Sequence, residues 1–256
     1  MTRRVALILA AAVSAGALAG CDGVAGARMT FDDTENTKIT EVVLSGGASD
    51  VTVETDATAT GTRIRRVIHG GTDPGPSYQL AGGVLTLSGT CVPDCRVDFV
   101  VTAPPGVAVK GELRSGDVTL SGTGPVDLRL TSGDVMVENS TGAVKVRATS
   151  GDLNVVGGSE VNLESQSGDL SVLDAAGPVT VRATSGDIGL KLNSVASVTA
   201  SVGNGDVDVM VPPGDYRLRT VTGSGDQEIT GIRDNPTSKD VLDLRTGSGD
   251  LRVIAG

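Results

Sequence analysis

The chain has 256 residues, a formal charge of −10, 36 glycines, no tryptophan, two tyrosines and two phenylalanines. An acidic chain without aromatic platforms lacks the basic patches and stacking surfaces that nucleic-acid binding requires. Its charge also favours solubility over adsorption to anionic lipid headgroups. Helix formers are sparse after the first 20 residues, and Val, Thr and Leu alternate with polar residues. That is an all-β composition. With so few aromatics to supply burial, the core must be thin and built from layers of small branched side chains.

The chain opens with Met1-Thr2-Arg3-Arg4, an apolar run from Val5 to Leu18, then small residues and Cys21. This is a signal peptide, too short for a stable membrane span. Arg3-Arg4 hints at twin-arginine export, but the surroundings fit poorly and the pair reads as a plain basic start. Leu18-Ala19-Gly20-Cys21 resembles the lipobox of bacterial lipoproteins at all four positions. There a peptidase cuts before the cysteine and the thiol carries a diacylglycerol. The resemblance implies that residues 1–20 are removed and that Cys21 is the lipid attachment site, with the rest of the chain outside the bilayer. The alternative is an ordinary signal peptide with an unrelated cysteine. Residues 21–38 are polar and aperiodic, as in Asp32-Asp33-Thr34-Glu35-Asn36, and are expected to form a flexible tether.

Residues 39–110 read as an irregular β section. Strand-like runs cover Glu41–Ser45, Asp50–Glu54, Thr62–His69, Val84–Gly89 and Val97–Val101. Gly70 to Pro76 is a turn or short loop. Cys91 and Cys95 flank Val92-Pro93-Asp94 between two of the runs. In an exported protein disulfides persist, and a Pro-containing loop can bring two Cα atoms within bridging distance. A structural disulfide is expected, with a redox site as the lesser alternative. A metal site wants four ligands, and His69 is the only histidine; it reads as a surface strand residue.

Residues 111–256 are a repeat array. Ser115-Gly116-Asp117, Ser132-Gly133-Asp134, Ser150-Gly151-Asp152, Ser167-Gly168-Asp169, Ser185-Gly186-Asp187, Asn204-Gly205-Asp206, Ser224-Gly225-Asp226 and Ser248-Gly249-Asp250 each precede a strand-like run. The aspartates step by 17, 18, 17, 18, 19, 20 and 24 residues. Such a period means stacked units. Each period holds two short strands and two turns. Val118, Leu120, Val135, Val137, Leu153 and Val155 fall on one side of the alternation, and Thr119, Arg129, Lys145, Arg147 and Arg182 on the other. The first set is expected inside and the second in water. One coil cannot bury its apolar side alone, whereas a stack can. The fold expected is a parallel β-helix or β-solenoid of about 17–18 residues per coil, as a rod of roughly 35–40 Å.

The turn has a structural reading: Gly takes positive φ without steric cost, and Asp and Ser hydrogen-bond local backbone. The chemical alternative is a Ca²⁺ ladder like that of RTX β-rolls. That repeat places the apolar residue two beyond the Asp, whereas here it follows directly. No catalytic, cofactor-binding or metal-ligating residue is assigned.

Val101-Thr102-Ala103-Pro104-Pro105-Gly106 and Val209-Met210-Val211-Pro212-Pro213-Gly214 share a signature. Pro ends a strand, so each marks a corner where the path resets. Ile232 to Asp240 is an inserted loop that explains the last step, and Leu251–Gly256 ends the chain with no obvious cap, leaving an edge that could pair end to end with another chain.

The lipobox, the Pro-Pro-Gly punctuation and the serial Ser-Gly-Asp turns together resemble the DUF4097 family of adhesin-like bacterial β-strand-repeat proteins, over about residues 40–256. The resemblance implies a solenoid at the cell envelope, anchored to the membrane by its N-terminal acyl chains and facing an unidentified envelope or surface ligand. It carries over no catalytic residue. The first functional reading is a non-enzymatic surface module for adhesion, spacing or assembly. A polysaccharide-processing β-helix enzyme is the second, against which Tyr78, Phe99 and Tyr216 are few and scattered. An accessory or sensor lipoprotein of an envelope stress system is the third. The candidate functional surface is the outward row of Arg129, Lys145, Arg147 and Arg182, or the N-terminal section.

Overall fold

The computed structural model describes residues 28–70, 75–90 and 95–256. These residues form 23 strands and no helix. The N-terminal section supplies β1 (Arg28–Glu35), β2 (Glu41–Gly47), β3 (Val51–Thr55), β4 (Thr62–His69), β5 (Tyr78–Ala81), β6 (Val84–Gly89), β7 (Arg96–Ala103) and β8 (Ala108–Leu113). The array continues with β9 (Val118–Ser121), β10 (Val126–Ser132), β11 (Val135–Ser140), β12 (Ala143–Ser150), β13 (Leu153–Gly157), β14 (Glu160–Ser167), β15 (Leu170–Ala175) and β16 (Val179–Ser185). It ends with β17 (Ile188–Leu192), β18 (Val198–Asn204), β19 (Val207–Val211), β20 (Arg217–Ser224), β21 (Gln227–Thr230), β22 (Val241–Ser248) and β23 (Leu251–Ala255).

The strands form two sheets, one of twelve strands and one of eleven. In each coil the chain runs along a strand of the eleven-stranded sheet, bends, and returns along the twelve-stranded sheet; from β8/β9 onward the bend is a Ser-Gly-Asp turn, or Asn204-Gly205-Asp206 in β18/β19. Ten such coils stack in the order β6/β7, β2/β3, β8/β9, β10/β11, β12/β13, β14/β15, β16/β17, β18/β19, β22/β23 and β20/β21. All coil-to-coil pairings are parallel, Val126 against Val144 and Val144 against Val161, for example, with register shifts at the ends of β2, β11 and β15. The antiparallel strands β4, β1 and β5 close the N-terminal end. The fold is a β-solenoid, and the N-terminal section shares both of its sheets.

The predicted inward residues of the array are all buried, from Val118 at 1% exposure to Val253 at 0%. They join the inward side chains of β2 to β8 in one continuous core. The reason is the period of two: with one face in water and one against the opposite sheet, each coil places Val, Leu or Ile at alternate positions. Coil spacing of about 4.8 Å then stacks like on like.

At both Pro-Pro-Gly corners the chain skips one coil. After Gly106 it enters β8, which lies two places from β6 because β2 sits between them. After Gly214 it enters β20, two places from β18, and β22 later fills the gap. The final coil, β22/β23, is therefore an insertion, and the C-terminal residues are internal to the stack.

Two expectations need correction. The tether expected at residues 21–38 is not unstructured throughout, because β1 pairs antiparallel with β4 over eight residues. Its polar side chains have partners: Arg65 Nε donates to Asp32 at 2.7 Å, and Arg66 Nε donates to Asp33 at 3.1 Å. The open edge expected at Leu251–Gly256 belongs instead to β20/β21, and that edge is partly capped. There the loop before β22 folds back: Asn235 N–H donates to the Tyr216 carbonyl at 2.8 Å, and Leu218 N–H donates to Asp234 at 2.9 Å. Inward positions turn polar in this coil, where Thr220 and Gln227 pair with Leu244 and Leu251. A polar outer coil is what keeps a repeat stack soluble.

Candidate functional site

The Ser-Gly-Asp turns line one edge of the solenoid and form a ladder of their own. The Asp134 N–H donates to Asp117 Oδ1 at 2.9 Å, the Asp152 N–H to Asp134, the Asp169 N–H to Asp152, the Asp187 N–H to Asp169 and the Asp206 N–H to Asp187, these last four at 2.8 Å. The ladder then follows the stack rather than the sequence: Asp250 donates to Asp206 at 2.7 Å, and Asp226 to Asp250 at 2.9 Å. At the other end Asp117 donates to Asp50, and Asp50 to Asp98, each at 3.0 Å. The sequence reading expected local backbone bonds from these aspartates; they bond to the neighbouring coil instead. Carboxylates about 4.8 Å apart in water repel by roughly 1 kcal/mol. A hydrogen bond to a charged acceptor contributes about 1.5–3 kcal/mol, so the ladder is net favourable.

The glycine before each aspartate meets two demands. Gly116, Gly133, Gly151, Gly168, Gly186, Gly205, Gly225 and Gly249 have φ between +114° and +142°. A Cβ on any of them would collide with the carbonyl of the adjacent coil, Gly151 on Gly133 and Gly168 on Gly151 among them. The second corner of the coil has its own left-handed position, filled by Gly122, Asn139, Gly157 and Asp174, the residue types that tolerate it.

The ladder ends at Asp98, beside Arg96 and His69. Arg96 Nε donates to Asp98 Oδ1 at 2.7 Å and also pairs with Asp50; His69 Nε2 lies 2.8 Å from Asp98 Oδ2. The Asp98 hydrogen bond holds the Arg96 guanidinium further toward its charged form. His69 is on the surface, as expected.

The outward face of the eleven-stranded sheet carries the predicted basic row. Strand register lines up Glu112, Arg129, Arg147, Glu164, Arg182, Ser201 and Arg245, one per coil. Arg129 pairs with Glu112 at 3.1 Å and Arg147 with Glu164 at 2.8 Å, while Arg182 reaches the other Glu164 oxygen at 3.9 Å. Arg245 pairs with Asp243 of its own strand at 2.8 Å. Lys145 stands in the adjacent row beside Asp127. Three shallow clefts follow this face along the stack. They have volumes of about 280, 440 and 290 Å³ and are bordered in turn by Arg129, by Arg147 with Arg182, and by Arg182 with Arg245. The long side chains stand as ribs, and each groove between them spans three neighbouring strands.

A further hollow, of about 340 Å³, lies on the outward face of the twelve-stranded sheet over Gly189. Sequence reasoning missed it. Its signal is a glycine within the strand pattern Ile188-Gly189-Leu190, away from any turn. Cys21 and Cys91 lie outside the described residues. Cys95 directly precedes β7. Among the described residues no group of three or more His, Cys, Asp or Glu is placed to hold a metal ion. Among the described residues no helix is long and apolar enough to cross a membrane.

A family model, Toastrack DUF4097, matches residues 24–158 and again 112–254. Among solved structures the chain is similar to a "putative adhesin" of Parabacteroides distasonis, with 16% identity, a TM-score of 0.57, and coverage of 88% of this chain and 97% of that one. It is also similar to a protein of the same description from Bacteroides fragilis, with 17% identity, a TM-score of 0.45, and coverage of 89% and 97%. A search of curated proteins finds no match.

Proposed function

The chain belongs to the Toastrack DUF4097 family, and from that premise we propose that it is a non-enzymatic module of the bacterial cell envelope that offers its charged face to an extended ligand. The observation that carries this reading is the row of Arg129, Arg147, Arg182 and Arg245, one per coil apart from Glu164 and Ser201, with clefts between the ribs. A ligand lying along the stack meets an arginine at four of these coils, so several weak contacts add. Exposed ion pairs contribute little to stability, about 0–1 kcal/mol each, so this row is not needed to hold the fold. The adhesin description of the Parabacteroides protein supports the same reading. Glu164, a carboxylate lining the cleft between Arg147 and Arg182, is engaged by both arginines, which favours a recognition role over acid–base chemistry.

The anchor belongs to the same proposal. Cys21 carries the acyl chains, and Cys91 pairs with Cys95, a reading supported by the Pro-containing spacing Cys91-Val92-Pro93-Asp94-Cys95. Two measurements test it. Intact mass of membrane-fraction protein should show a lipidated N-terminus at Cys21 and no free thiol; unprocessed precursor only in the Cys21→Ala variant agrees, and normal processing of that variant contradicts the anchor. The double variant Arg147→Glu, Arg182→Glu should lose retention on envelope fractions at least tenfold while unfolding within a few degrees of the parent. Unchanged retention contradicts the charged-face reading.

A further inference from the structure

We infer that the hollow over Gly189 is a binding site for a small apolar anion, a compound with an apolar body and one carboxylate or sulfonate. The starting point is a glycine with no structural reason. The turn glycines have left-handed φ or a colliding neighbour; Gly189 lies mid-strand with ordinary φ, and a Cβ there would touch nothing. A strand-interior glycine weakens its strand and often marks where another molecule approaches the backbone.

The walls say what approaches. On the coils either side, Leu173 and Met210 flank Gly189 diagonally, 40% and 39% exposed, and Ile254 extends the apolar side by one more coil. These are large apolar side chains held out of a well-filled core on the face of a solvated sheet. Ser171, Asp208 and Arg252 make a polar row with Gly189, and Lys191 stands between Leu173 and Met210 in the other row. Lys191 has no ion-pair partner among the described residues, and Arg252 has only the exposed Glu228 at 3.4 Å. Glu228 offsets Arg252, which leaves Lys191 as the cation of the hollow, with no carboxylate in ion-pair reach among the described residues. A volume of about 340 Å³ is at the lower end of small-molecule sites. It suits a compact ligand, not a polymer. The site is on the sheet opposite the arginine row and is independent of the function proposed for that row.

Fluorescence titration of the whole chain with 8-anilinonaphthalene-1-sulfonate tests the site, with decanoate as competitor. The expected result is saturable binding of one equivalent that decanoate displaces. Gly189→Leu fills the hollow and should weaken binding at least tenfold without lowering the melting temperature, since the new side chain enters open space and suits a strand better. Lys191→Gln should weaken binding several-fold and flatten its salt dependence. Lys239→Gln, in the loop before β22 and outside both sites, should leave binding unchanged. Equal affinity in the parent and Gly189→Leu overturns the proposal, as does an equal loss in a Val221→Thr control at the exposed end coil.

Discussion

Glycine and aspartate divide the work of each bend. Gly168, at φ +122°, sits in backbone space that residues with a Cβ rarely adopt, and that Cβ would strike the Gly151 carbonyl. Forbidden backbone alone costs about 1–3 kcal/mol, and the displaced neighbour adds to it. Gly168→Ala should therefore destabilise by about 3 kcal/mol in urea unfolding. Gly189→Ala, free of both constraints, should be neutral or stabilising by about 0.5–1 kcal/mol. Equal losses at both positions would refute the distinction. The need for glycine at the turns was legible from sequence, since only a repeated bend demands the same residue at the same place. The role of the aspartate was not. Its acceptor reaches a donor 17 to 44 residues away in the chain, and composition carries no record of which coil lies next.

Among the elements, β1 was the least legible. Its sequence is polar, and its stabilisation comes from partners some 33 residues distant. Arg66, 7% exposed, stacks over the rings of Phe31 at 5.0 Å and Tyr78 at 5.6 Å while pairing with Asp33 at 3.0 Å. The Tyr78 hydroxyl donates to Glu35 at 3.0 Å. Burial first, then that hydrogen bond, pushes the Tyr78 phenol up to about 12. Because the folded value lies above the unfolded one near 10, the bond's contribution is complete below about pH 10 and is lost as pH rises through about 12. Hydrogen exchange of β1 should thus accelerate across that window in the parent. In Tyr78→Phe the exchange should be faster at neutral pH and should lack the added alkaline step. Equal alkaline steps in both proteins would show that β1 is held otherwise.

For the molecule as a whole, the period revealed the stack but not its order. Regular spacing between Asp117 and Asp206 reports coil length, which is a local property. Adjacency is not local: the Asp250 coil slots between those of Asp206 and Asp226. The two Pro-Pro-Gly corners were the visible trace of the skips, because proline cannot join the ladder and the chain must cross a neighbour there. The charged row on the eleven-stranded sheet could be read from alternation alone. The hollow at Gly189 could not, since it depends on side chains from four coils meeting around one missing Cβ. The central claim is that the Ser-Gly-Asp edge is a joint between coils that works through carboxylate-to-backbone hydrogen bonds. Thermal unfolding of the parent, Asp152→Asn and Asp152→Ala, each with Ca²⁺ and with EGTA, tests it most directly. Asn keeps the Oδ1 acceptor and should melt near the parent. Ala should lose about 1–2 kcal/mol, a fall of a few degrees for a chain of this size, and Ca²⁺ should move none of the three. A parent whose melting temperature climbs with Ca²⁺, with Asn and Ala equally impaired, would contradict the account.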